Sequence, residues 1–342
     1  MVKQKKSNPA AVRRPRIPAD KIYNGPDANG KQKAKEELNM TEETTRQNIK
    51  ELKLFLKQRN RLPDHIAGVN EDEWFENYLI LNKNDLDRTK ENLEIYFKLK
   101  EILPEAYLER DAHSTLMDKS FHNTMIAWCP KPDRSGNRIA IYGHISDKAS
   151  DFDVITLGNR MVAMVDMFLK EGVDWCSLII LCDLSKTKLG HLTKYPIFLM
   201  KKFFDYAWKA YPERIAQIHI IHPPIYLEYV LALFRPFLRE KIKNRIIVHS
   251  KIDTLYDHID RSLLPTDYGG ELPYTAIEIN DAFQEKLKKY EDYLQLSARE
   301  HRPLPEDKTE EISHGFIKYF YITLKNTTTN RIRIYVQKQT IY

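Results

Sequence analysis

From Thr41 to Lys100 the apolar side chains recur at helical spacing in three runs. Thr41 can cap the first, with Glu42 and Glu43 in its opening turn and Ile49, Leu52, Phe55 and Leu56 along one face. Asn70 with Glu73 three residues on has the form of a capping box ahead of Trp74, Phe75, Tyr78 and Leu79. Asn84 opens the third run, which carries Leu86, Leu93 and Ile95 to Phe97, and Pro104 ends it.

The period then changes. Short β-rich runs occur at 124–128, 138–145, 177–183, 217–222 and 245–249, with helical patterns between the later ones. One of these covers 157–170, with Met161, Met164, Val165 and Phe168 on one face; another covers 193–211, with Phe198, Leu199, Phe203, Tyr206 and Ala207. Alternation of strand and helix predicts an α/β fold with a mostly parallel sheet and right-handed crossovers, preceded by the helical unit. Leu178 to Leu181 is continuously apolar, as a strand buried on both faces should be. A further amphipathic helix is expected over 276–300, and two short strands at Phe316 to Leu324 and Ile332 to Val336.

One stretch departs from simple amphipathicity. Pro223 and Pro224 can start a helix in which Ile225, Leu227, Val230, Leu231, Leu233, Phe234 and Phe237 are apolar on nearly every side. Such a helix needs apolar material on two sides: core packing supplies it in most proteins, and a flap between a ligand cavity and a lipid surface is the sharper alternative. Arg239, Lys241, Lys243 and Arg245 follow, with Glu240 as the only acid. On a helix Lys241 and Arg245 share a face, suited either to plain solvation or to a phosphorylated head group at a membrane.

Charge adds little beyond this. The chain of 342 residues carries a net +6, but residues 1–35 hold ten basic side chains against Asp20 and Asp27, which leaves the rest at −2. A basic tail, not a nucleic-acid-binding body, explains the balance. Residues 1–39 are poor in large apolar side chains and are expected to be a disordered arm. Cys129, Cys176 and Cys182 form no CxxC pair, which fits a reducing compartment. There is no apolar signal region and no apolar run near the ~20 residues that span a bilayer, so a cytoplasmic protein is expected.

Catalytic signatures are missing: no GxxxxGK[ST], GxGxxG, GxSxG or HExxH occurs. His219 and His222 lie three apart on an expected strand and so point to opposite faces, which argues against a metal pair. Asp183, at the end of a buried strand, suits a turn or cap role. Neither a catalytic residue, a metal nor a cofactor is expected.

Tyr211 to Arg214, Ile218 to Ile221, Pro224, Phe234 to Leu238, Glu240 to Ile242, Arg245, Ile246, His249, Leu264, Pro265 and Tyr268 to Gly270 together resemble the CRAL-TRIO (Sec14-like) lipid-binding family. The nearest branch is that of tocopherol and retinaldehyde transfer proteins, with their insect relatives. The resemblance spans about 41–300, and it implies a helical domain at 40–110, the lipid-binding domain at 111–275, a C-terminal helix at 276–300 and a tail at 301–342. It further implies a carrier that holds a tocopherol-, retinoid- or phospholipid-like molecule between a sheet and helices under a mobile helical gate, here Ile225 to Phe237. Leu157, Met161, Met164, Leu178, Ile180, Cys182, Phe203, Tyr206, Ile218, Ile220, Val230 and Phe234 are the expected pocket residues. Phosphoinositide head groups would bind at Arg214, Lys241, Lys243 and Arg245, targeting a monomeric, transiently membrane-associated protein. Two positions depart from the branch: Ala216 stands where it has a basic residue, and His222 where it has Asn. The other function class compatible with this fold is an adaptor that signals lipid occupancy to a protein partner.

Overall fold

The computed structural model of the chain describes residues 17–59, 62–107 and 110–300. The expected strands at Phe316 to Leu324 and Ile332 to Val336 lie outside the described residues, as do residues 1–16.

Residues 17–39 are not the disordered arm expected. They form α1 (Ala19–Ile22) and α2 (Ala28–Glu37), the second capped by the Asp27 carboxylate, which accepts from Gly30 N–H at 2.7 Å. Ile22, Tyr23 and Ala34 are buried, and the Tyr23 ring packs against Phe168 and Phe283 at 6.1 and 5.3 Å between centroids. Asp27 N–H donates to Asp174, which is also paired with Arg138 at 2.7 Å. A few apolar residues thus order a segment whose composition reads as tail. Part of its charge is neutralised too: Lys31 and Lys35 both pair with Glu76, at 2.8 and 2.6 Å.

The three helices expected next are α3 (Glu42–Lys57), α4 (Glu71–Leu81) and α5 (Leu86–Ile102). Thr41 makes its capping box with Thr44. Asn70 accepts from Asp72 N–H and forms no box with Glu73, and Asp85, not Asn84, caps α5. Asn84 is instead left-handed in the turn, with φ 55°, a region Asn tolerates better than most residues.

After α6 (Thr115–Asn123) come the strands β1 (Thr124–Trp128), β2 (Asn137–His144), β3 (Ser177–Asp183), β4 (Ile215–Ile221) and β5 (Ile246–Val248), side by side in that order. β1 is antiparallel to β2, and the remaining pairs are parallel. The α/β class with a mostly parallel sheet is therefore observed. α7 (Val154–Glu171) joins β2 to β3. Between β3 and β4 the single helix expected is divided: α8 (Leu189–Leu192), α9 (Ile197–Lys202) beginning after Pro196, a π-helical turn at Phe203–Ala207, and α10 (Trp208–Ala210).

Between β4 and β5 the apolar helix is α11 (Leu227–Phe234), shorter than the Ile225–Phe237 expected. Pro236 cannot continue its hydrogen-bond ladder, and Arg235–Phe237 tightens to a 3-10 turn. α12 (Glu240–Lys243) ends before Arg245, so Lys241 and Arg245 are not neighbours on one helix as expected. The expected 276–300 helix is α13 (Ala276–Lys289) followed by α14 (Glu291–Glu300).

One hydrophobic core runs through these elements, from Ile22 through Trp74, Phe97 and Ile141 to Leu287. The N-terminal helices are tied to the α/β part by hydrogen bonds from Tyr78 Oη to the Ala210 carbonyl at 2.8 Å and from Asn77 Nδ2 to the Leu169 carbonyl at 3.0 Å. The buried pair Arg110–Asp166, at 3.0 Å, adds Tyr211 Oη as a donor to the carboxylate at 2.8 Å.

Candidate functional site

In a strand, side chains alternate between faces, and the five strands pair side by side, so one face of the sheet presents a row of paired residues. Trp128 pairs with Ala140, Ala140 with Ile180, Ile180 with Ile218 and Ile218 with Ile246. These residues, with Tyr142, Leu178, Cys182 and Ile220 on the same face, form the floor of a cavity of about 390 Å³. Met161, Met164 and Val165 of α7 form one wall, Phe203, Phe204 and Trp208 another, and Val230, Leu231 and Phe234 of α11 the roof. Unbranched Met side chains on a wall allow the outline to adapt to what fills it.

A bulge sharpens this floor. The β3–β4 register shifts between Leu178, opposite Ile215, and Ile179, opposite Gln217, which leaves Ala216 as the extra residue. Ile215 and Ile218 consequently both face the cavity despite their odd spacing. Ala216 is thus a bulge residue with its own local geometry.

Ten of the twelve residues expected in a pocket line this cavity: Met161, Met164, Leu178, Ile180, Cys182, Phe203, Ile218, Ile220, Val230 and Phe234. Leu157 lines instead a smaller neighbouring cavity of about 120 Å³ shared with Met161 and Phe203. Tyr206 lines neither and is exposed, because the π-helical turn rotates the residues after Phe203 off the 3.6-residue period that placed it inward.

α11 presents two different faces. Phe234 meets Tyr195 edge-on at 5.3 Å, and beyond the helix Phe237 stacks on Phe204 at 5.7 Å. On the outer side Ile225 and Tyr229 are exposed, as are Leu189, Ile197 and Phe198 on α8 and α9. The cover is held at its start by Tyr226 Oη, which donates to the Thr187 carbonyl.

The polar groups at the cavity wall are few, and sequence reasoning missed them. Glu213 accepts from Trp175 Nε1 at 3.1 Å through one oxygen, while the other is buried with no hydrogen-bond partner in the protein; burial pushes its pKa up to about 7, against the lowering effect of the Trp175 bond. Tyr142 and Tyr195 share a hydrogen bond of 2.9 Å. His144, held down to about 3 by burial and then by His191, stands at the end of β2.

Of the four cations expected at a head-group site, none forms an isolated cluster. Arg214 pairs with Glu37 at 2.8 Å, so that the unexpectedly ordered α2 reaches it. Lys243 pairs with Glu240 at 2.5 Å within α12, and Arg245 donates to the Ile215 carbonyl. Lys241 is exposed. Lys83 connects them: its pKa is lowered first by partial burial and then by the positive charges of Arg88, Arg214, Lys241 and Arg245. Lys83 and Arg88 come from the α4–α5 region, far away in sequence, and nothing in the local pattern marks them.

Asp183 has the structural role expected. It accepts from Ser185 N–H, His222 Nδ1 and Tyr268 Oη, each at 2.9 Å. Although burial acts to raise its pKa, these bonds hold the carboxyl below its ordinary range. His222, just past β4, is left-handed with φ 49°, a conformation that His tolerates better than most residues. His219 is on the opposite face, bonded to His249 at 2.8 Å. Among the described residues no group of His, Cys, Asp and Glu is arranged to hold a metal ion, and no helix is long and apolar enough to cross a membrane.

The strand pattern and the cavity above it coincide with a family match, CRAL/TRIO domain, over residues 122–270. Residues 122–270 are a CRAL/TRIO domain. The chain is similar to the human alpha-tocopherol transfer protein-like protein, 24% identical over 254 residues that cover 73% of this chain and 71% of the relative. The mouse protein of that name is 26% identical with the same coverage, and human Clavesin-2 is 20% identical over 71% of this chain and 74% of its own. Among solved structures Sfh5 aligns with 71% of this chain and 96% of its own at 14% identity, with a TM-score of 0.40.

Proposed function

We propose that this CRAL/TRIO protein is a carrier that encloses one hydrophobic small molecule, tocopherol-, retinoid- or phospholipid-like, and transfers it between membranes. The observation that carries the reading is the cavity: about 390 Å³ on one face of the sheet, walled by apolar side chains and roofed by a helix that exposes Tyr229 on its outer side, with Ile225 exposed just ahead of it. Each buried methylene of a ligand contributes about 0.8 kcal/mol there, so an elongated lipophile gains affinity without many polar contacts. The two-sided α11 supports its role as the gate: when it swings out, Ile225 and Tyr229 enter the membrane while Val230 and Phe234 leave the cavity. The similarity to relatives named for tocopherol transfer points the same way.

The cations Arg214, Lys241, Lys243 and Arg245 are proposed to contact a phosphoinositide head group, with Lys83 and Arg88 adding to the field. The test is transfer of a fluorescent tocopherol analogue between vesicles with and without a phosphoinositide. Lys241→Ala with Arg245→Ala is expected to reduce binding and transfer at phosphoinositide vesicles about tenfold while leaving uptake of the analogue unchanged. Wild-type binding by the double variant at physiological salt overturns the targeting role, and loss of all uptake by the wild type overturns the carrier.

A further inference from the structure

The end of the cavity beneath the cover helix is not apolar. His144, at the C-terminal end of β2, and Thr187, in the turn after β3, both line the cavity there and are more than nine-tenths buried. The His191 ring lies 4.1 Å from that of His144 and is fully buried. His144 Nδ1, Thr187 Oγ1 and His191 Nε2 are each buried without a hydrogen-bond partner in the protein.

Those three atoms are a costly arrangement in an otherwise apolar site, since each has given up its hydrogen bonds to water without gaining one in the protein. The tautomer of His191 follows from its surroundings: Nδ1 accepts from Lys188 N–H at 2.9 Å, so in the neutral ring Nε2 carries the proton and is a donor. Thr187 Oγ1 can donate and accept. Burial holds His144 neutral, leaving it one donor and one acceptor. Donors and acceptors thus meet at one end of a pocket whose floor is Ile180, Ile218 and Ile220.

We propose that the cavity selects a lipophile bearing a hydroxyl group, and that this hydroxyl is seated under the cover helix against His144 and Thr187, with His191 behind them. The proposal rests on the carrier reading and adds the polarity of the cargo and its orientation. The same place is tied to the cover, because the Thr187 carbonyl accepts from Tyr226 Oη just ahead of α11. The ligand's polar end therefore lies where the cover opens.

The test compares dodecan-1-ol with tridecane, which replaces the hydroxyl by a methyl group, in displacement of a fluorescent apolar probe from the purified full chain. The quantity read is the ratio of the two dissociation constants in wild type, Thr187→Val, His144→Phe and Glu213→Gln. The preference for the alcohol is expected to fall about tenfold in Thr187→Val and His144→Phe, the worth of one well-made hydrogen bond, and to persist in Glu213→Gln at the other end. Thr187→Val keeps volume and removes a hydroxyl without a partner, so it is expected to fold with undiminished thermal stability. An unchanged ratio in Thr187→Val and His144→Phe overturns the proposal, as does a fall confined to Glu213→Gln. Failure of all four proteins to bind either compound overturns the carrier reading itself.

Discussion

The two faces of the central sheet are built from alternate residues of the same strands and do opposite things. Ile139 and Leu181 are fully buried in the hydrophobic core, and with them the other face carries His219 and the edge of α13, where Asn280 Oδ1 accepts from Ile126 N–H at 3.1 Å. Ala140, Ile180 and Ile218, one residue along, border empty space. Hydrophobic residues alone therefore do not decide whether a sheet face becomes core or pocket. The decision falls to what covers it: α13 closes on one face, while a divided α8–α10 segment and a short α11 arch over the other.

Truncation separates the two faces most strongly. Leu181→Ala opens a new void in packed core and is expected to cost about 3 kcal/mol in chemical denaturation. Ile180→Ala merely enlarges space already present and should cost about half as much. Equal losses would mean that the cavity face is packed as tightly as the other in solution. Filling the space gives the reverse sign: Ile180→Phe is expected to leave stability within about 1 kcal/mol of wild type and to reduce ligand uptake severalfold.

Acid titration places one histidine on each face. Burial and the neighbouring rings of His249 and His258 hold His219 at about 4, and His144 stands at about 3. Both bind protons more weakly when folded than when unfolded, so the stability they contribute is complete above their ordinary value of 6.5 and is lost as pH falls from there towards 4 and 3. The expected slope is about 1.4 kcal/mol per pH unit for each group, and His219→Asn should remove one share of it. Glu213, raised to about 7, acts with the opposite sign: its folded form holds a proton that the unfolded form has lost, so its penalty grows as pH rises from 4.5 to 7. A stability profile flat from pH 6.5 to 4 would contradict the assignment of neutral buried histidines.

The smallest effect concerns charge at the surface. Glu37→Gln frees Arg214 from its 2.8 Å partner, and is expected to raise affinity for phosphoinositide vesicles about twofold while changing stability by less than about 1 kcal/mol. No change in vesicle affinity would remove Arg214 from the proposed head-group contact.

Much of this was legible in the sequence because periodicity encodes it. The continuously apolar run Leu178 to Leu181 marked a strand buried on both faces, and the all-round apolar character of 225–237 marked a helix, which the structure confines to 227–234. Tyr206 departs from its expected place because a π-helical turn breaks the helical period, which spacing cannot reveal. The order of 17–39 escapes composition, which averages over residues, whereas Ile22, Tyr23 and the cap at Asp27 act one at a time. Lys83, Arg88, Glu213 and the His144–Thr187–His191 group were invisible for a third reason: they are assembled by tertiary contacts between segments far apart in the chain.

The most direct test of the account is native mass spectrometry of the purified chain, with organic extraction of whatever it carries. A carrier with this cavity is expected to show one hydrophobic molecule per 40.4 kDa chain, released unchanged on extraction. A chain that shows only its own mass, and takes up no lipophile after incubation with tocopherol- or retinol-loaded vesicles, would contradict it.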